Sequence, residues 1–105
     1  MTREDLNLFA TRFAEFATWS TTKQVDYIAY YLLIQSNTEC VTVAEIEQCL
    51  SLLDLRPYSR LAVYLSEEVK KKGGRYIKHQ KGYRLERSAF DEIRLVVDAE
   101  PKRVQ

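Results

Sequence analysis

Apolar residues recur along this chain at helical spacing in five stretches, and two short stretches alternate at the period of a strand. Leu6, Phe9, Phe13 and Phe16 stand three or four residues apart, one stripe of a first helix. Thr2, with Asp5 three residues on, has the form of a capping box at its start. Trp19 follows in the connection and is expected to pack across the joint. Thr21 and Gln24 form a second capping box, and the helix beyond it carries Val25, Ile28, Ala29, Leu32 and Leu33 on one face. Tyr27, Tyr30, Tyr31 and Ile34 widen that face so far that the helix is expected to be buried on most sides.

Ser36-Asn37-Thr38-Glu39 interrupts the pattern as a polar loop. Cys40-Val41 then predicts a very short strand. Thr42 and Glu45 form the strongest capping box in the chain, ahead of a third helix with Val43, Ile46, Leu50 and Leu53 on its apolar stripe. Asp54 to Pro57 makes a turn, and Pro57 can open the next helix because the first turn needs no N–H from it. That fourth helix is expected from about Tyr58 to Lys71, stopped by Gly73-Gly74. Leu61, Leu65 and Val69 share its inward face, which leaves Ser59, Arg60, Val63, Ser66, Glu67 and Lys70 outside. Arg75 to Lys78 and Tyr83 to Glu86 alternate as half-buried strands, with Tyr76 and Tyr83 expected on the inner face. Four residues, His79 to Gly82, join them, Gly82 being free to take a positive φ. Ser88 to Asp91 resembles a helix start, and Phe90, Ile93 and Val97 mark the inward face of a closing helix. From Asp98 to Gln105 no periodicity survives, so that segment reads as a disordered tail or the start of a linker.

Composition fits one domain. The chain has 105 residues, 46 % hydrophobic and 30 % charged, enough for one core and hardly for two. The expected division is one unit over 1–97, in which a helix at 1–19 is added to a core at 21–97. No apolar run approaches the roughly 20 residues of a membrane span, and the first residues lack the layout of a signal peptide. A cytoplasmic protein without membrane contact is the expectation. Cys40 and Cys49 are too few for a disulfide scaffold and read as reduced thiols, with Cys49 packed as a small apolar side chain. With His79 as the sole histidine, neither a metal nor any other cofactor is expected. The same scarcity of titratable groups, and the lack of a glycine-rich loop before a helix, argue against an enzyme.

Charge is segregated along the chain. Residues 1–55 hold three Lys/Arg against eight Asp/Glu, a balance of −5. Residues 56–87 hold ten against three, a balance of +7, and the remainder stands at −1. A net charge of +1 therefore conceals a basic stretch over the fourth helix and the hairpin.

Helix, helix, short strand, capped helix, turn, helix, hairpin and closing helix is an order that resembles the winged helix-turn-helix superfamily. The features that carry the resemblance are the capped helix from Thr42 to Leu53, the turn at Asp54 to Pro57, and the hairpin from Arg75 to Glu86. The fold class expected is mainly α with a small β-hairpin: a winged helix-turn-helix with an extra N-terminal helix and a closing C-terminal one. The resemblance implies that the fourth helix enters the major groove of duplex DNA and that His79 to Gly82 is the wing. Its nucleic-acid contacts would be Ser59, Arg60, Val63, Lys70, Lys78, His79, Lys81 and Arg84. Arg60 has the donors for a bidentate contact to guanine, and Val63 is suited to a thymine methyl. Ser59 and the lysines are suited to phosphates, whereas Glu67 would repel them. Winged helices also serve as protein-interaction modules. The alternative is thus a non-enzymatic interaction module with a protein partner, the N-terminal part of a longer sensor or effector with further domains after residue 105.

The stripe Leu6, Phe9, Phe13 and Phe16 has two uses open to it. It is either buried against the core or the contact of a homodimer, which would match a two-fold DNA site.

Overall fold

Burial follows the hydrophobic pattern closely in the middle of the chain and departs from it at several helix ends. The computed structural model describes residues 3–13 and 15–99. Helix α1 spans Arg3–Thr11, α2 Thr21–Gln35, α3 Val43–Leu52 and α4 Leu61–Lys70. Strands β1 (Tyr76–His79) and β2 (Gly82–Leu85) form an antiparallel hairpin, and α5 (Arg87–Ala99) follows it. The described chain is mainly helical with one small hairpin, as the pattern implied.

Helix α2 is the axis of the structure. Every residue from Gln24 to Leu33 is buried, whichever way it faces, because α3, β2 and α5 all pack on this helix. Such a helix gains its stability from burial on all sides. Ile46, Cys49 and Leu50 of α3 and Leu61 and Leu65 of α4 complete the core with Ala89, Ile93 and Val97 of α5. No helix is long and apolar enough to cross a membrane among the described residues.

The first stripe bends where a continuous helix was expected. Helix α1 ends at Thr11, Glu15 takes a left-handed backbone (φ 61°), and Phe16–Thr18 form one 3-10 turn. The bend returns Phe13 and Phe16 onto Trp19, with ring centroids 5.5 and 5.0 Å away, while Phe9 meets Tyr31 at 4.9 Å. Leu6, Phe9, Phe13 and Phe16 are all buried within one chain. The stripe is thus packed against its own core, the first of the two uses expected of it. The capping box proposed for Thr2 lies outside the described residues.

Caps differ from expectation at three further ends. Ser20, not Thr21, caps α2, its hydroxyl accepting from the Lys23 amide, and Gln24 instead donates to the Phe16 carbonyl at 2.9 Å. Helix α4 begins three residues after Tyr58, because Asp54 turns left-handed and Leu55 to Tyr58 run as irregular chain. The Glu86 carboxylate caps α5 by accepting from the Ser88 amide at 2.9 Å. That helix also takes in Asp98 and Ala99, which the pattern had assigned to the tail; residues 100–105 lie outside the described chain. The Thr42–Glu45 box is present with both of its reciprocal bonds.

The hairpin turn is shorter than the sequence suggested. Its register pairs Tyr76 with Leu85 and His79 with Gly82, so only Gln80 and Lys81 lie between the strands. Gln80, with φ 52°, supplies the left-handed residue that Gly82 was expected to supply. Gly82 is glycine for a different reason. Val41 forms an isolated bridge with Tyr83, amide to carbonyl in both directions at 2.7 Å, and a Cβ on Gly82 would run into the Val41 carbonyl. The short strand foreseen at Cys40-Val41 is this bridge, which ties the hairpin to the start of α3. We expect Gly82→Ala to break it, and hydrogen exchange at the amides of Val41 and Tyr83 to speed up at least tenfold while α2 amides stay protected.

Candidate nucleic-acid interface

Two groups of side chains must be separated before the basic stretch can be read. The first turns inward. Asp26, in the middle of α2, is a buried carboxylate that accepts from the Tyr76 hydroxyl (2.8 Å) and the Tyr64 hydroxyl (2.9 Å) at Oδ1, and from Arg75 Nε (2.8 Å) at Oδ2. Arg75 extends to Glu92 of α5 through Nη1 at 3.2 Å, and its amide donates to the Glu68 carboxylate at 3.0 Å. One arginine of the basic stretch is thus drawn into a network joining α2, α4, β1 and α5. Burial is the largest influence on Asp26 and raises its carboxyl above the ordinary value, while Tyr76, Tyr64 and Arg75 pull it back. The tyrosine hydroxyls are held protonated, pushed up by burial first and by the Asp26 charge second. No sequence motif announced Asp26. A charged residue between Val25 and the apolar and aromatic run from Tyr27 to Ile34 was the available signal.

The second group turns outward. Of the ten Lys/Arg in residues 56–87, nine are exposed and only Arg75 is half-buried. Arg60 is the N-cap residue of α4 and Ser59 precedes it in the turn, both exposed, while Val63 and Lys70 lie on the helix itself. At 100° per residue, Arg60, Val63, Glu67 and Lys70 fall on one side of α4, opposite Leu65. Val63 is 42 % exposed there. Glu67, exposed between Val63 and Lys70, places a carboxylate on the same face.

On the hairpin, Lys78, Lys81 and Arg84 are exposed, and Lys78 Nζ lies 4.6 Å from the centroid of the Tyr83 ring. Tyr76 is buried on the inner face, while Tyr83 is half-buried. His79 is not at the tip. It ends β1, and its Nε2 lies 3.2 Å from the Glu39 carboxylate in the α2–α3 loop. This contact holds the base of the turn against that loop. Cys49 is wholly buried and its thiol is raised to about 11, by burial first and then by Glu45, so it stays protonated near neutral pH. Among the described residues no group of three His, Cys, Asp or Glu side chains is placed to hold a metal ion.

The network yields three expectations. Asp26→Ala strands Arg75 and two hydroxyls, and should lower the free energy of unfolding by about 3 kcal/mol, the low end for a broken buried pair because Arg75 is one-third exposed. Tyr64→Phe removes one bond to a charged acceptor and should cost about 1.5 kcal/mol; urea unfolding of both variants measures this. Because burial raises Asp26 in the folded state, its contribution to stability is complete below the unfolded value and is lost as pH rises through the folded value. Asp26→Asn should therefore flatten the stability–pH curve just above the ordinary aspartate range. No family model, curated protein or solved structure matches the chain.

Proposed function

We propose that this chain is a DNA-binding module of the winged-helix kind that meets duplex DNA with α4 and the hairpin, and that it works without catalysis. The exposure of nine of the ten basic residues in 56–87 carries the reading. Had those charges been engaged internally, as Arg75 is, no cationic surface would remain. The element order and the Val41–Tyr83 bridge are compatible with a winged-helix layout. Arg60 would contact base edges from the start of α4, and Lys70, Lys78, Lys81 and Arg84 would neutralise phosphates. The acidic first half of the chain favours this orientation by repelling DNA from the other faces.

A second reading, an interaction module for a protein partner, draws on Val63 and Ile77, both 42 % exposed, on the paired elements α4 and β1. Glu67 beside them would suit a protein surface better than a phosphate backbone.

Salt dependence separates the two. Each phosphate neutralised releases counterions and contributes about −0.9 to the slope of log K against log salt. The four phosphate contacts therefore give roughly −3.6. Lys81→Ala should weaken binding to all duplexes alike and reduce the slope by about one unit. Arg60→Ala should cost about 1–3 kcal/mol and relax preference at one base pair. Fluorescence anisotropy of labelled duplexes over a salt series measures all three quantities. An absence of binding at low salt and micromolar protein would overturn the DNA reading and leave the interaction module standing.

A further inference from the structure

Building on the DNA-binding reading above, we propose that Glu67 is the residue with which α4 selects its site: its carboxylate accepts a hydrogen bond from the N4 amino group of one cytosine in the major groove. Glu67 is exposed on the outward face of α4, one turn after Val63 and one before Lys70. The basic residues that follow it in sequence do not engage it. Lys71 turns its Nζ to Glu68 at 3.5 Å, and Arg75 is held by Asp26 and Glu92. Among the described residues, the Glu67 carboxylate has no ion pair or hydrogen bond of its own. An unneutralised carboxylate in the middle of the proposed contact face opposes every encounter with a phosphate.

The kinds of group on this face match base edges and not the backbone. Phosphates call only for donors, whereas base edges present acceptors, donors and methyl groups. Arg60 is a donor, Val63 an apolar contact that is 42 % exposed, and Glu67 an acceptor. Val63 and Glu67 stand about 6 Å apart along the helix axis, less than two base-pair steps of about 3.4 Å. Of the groups in the major groove, only the amino groups of cytosine and adenine can donate to an ionised carboxylate. Adenine sets its N7 acceptor beside the amino group, where it would face the second carboxylate oxygen. Cytosine sets a carbon-bound hydrogen there instead. Cytosine is thus the base that Glu67 favours, and a bare phosphate is what it rejects. Both effects separate the correct duplex from the rest.

Selection by the full chain, at low salt, from duplexes with a randomised central segment reads the preference directly. The parent chain should enrich one invariant C·G pair. Replacing that pair by T·A should weaken binding about tenfold, the usual cost of losing one base contact. Glu67→Gln should move the preference at that position to A·T, because a glutamine amide pairs with adenine N6 and N7. Glu67→Ala should bind the C·G and T·A duplexes alike. It should also hold unrelated duplexes about twofold more tightly than the parent does, because a repelling charge is gone. A loss of fold would weaken all of these together and cannot produce changes of opposite sign. Binding with no base preference, or a C·G preference kept in Glu67→Ala, would overturn the inference and leave the DNA-binding reading in place. No binding of any duplex by the parent chain would overturn both.

Discussion

A single carboxylate in the most buried helix sets the terms on which the other elements assemble. Asp26 must have donors, because an isolated charge at that depth is prohibitively costly. Its three donors come from two separate segments: Tyr64 on α4, and Tyr76 on β1 with Arg75 beside it. Hydrophobic contact alone is non-directional and would tolerate several placements of α4 and the hairpin on α2. The network admits one. Arg75 passes the constraint on to α5 through Glu92, so four elements are fixed relative to one charged atom pair.

That arrangement also sorts the basic stretch. Arg75 directly follows the Gly73-Gly74 break and faces inward, whereas the lysines before the break and after Tyr76 face solvent. Charge counting alone treats these residues as equivalent. What distinguishes them is whether a buried acceptor lies within reach, a property of the folded chain.

The apolar core was legible because burial rewards periodicity directly. Val25, Ile28, Leu32, Ile46, Leu50, Leu61, Leu65, Ile93 and Val97 are buried, each as its spacing implied. The Thr42–Glu45 cap was legible because both halves of its reciprocal bond are local. Ser20 and Glu86 were harder to find, since more than one nearby side chain offered an oxygen to the same amides. Long-range partners left no local trace at all. The Glu39–His79 contact spans 40 residues and the Asp26–Tyr76 bond spans 50, and neither has a spacing rule behind it. Among the proposed DNA contacts, exposure of Arg60 and Lys70 followed from the helical period and that of Arg84 from the strand period. Lys81 lies in the turn, and Lys78 is exposed although a period of two puts it on the face of Tyr76. The position of His79 did not follow from either period, because a left-handed Gln80 allowed a tighter turn than the glycine alone implied.

The way the hairpin is attached determines where the chain can change length. Two isolated strands are marginal in water, and here both ends of the ladder are anchored, by Arg75 at its base and by the Val41 bridge and the His79–Glu39 contact near its tip. Only Gln80 and Lys81 extend past these anchors, and both are exposed. Residues added between them would lengthen a free loop at small entropic cost, whereas one residue added before Tyr76 would shift Arg75 out of reach of Asp26 and reverse the faces of β1. The hairpin is thus open to variation at its tip and closed to it at its base.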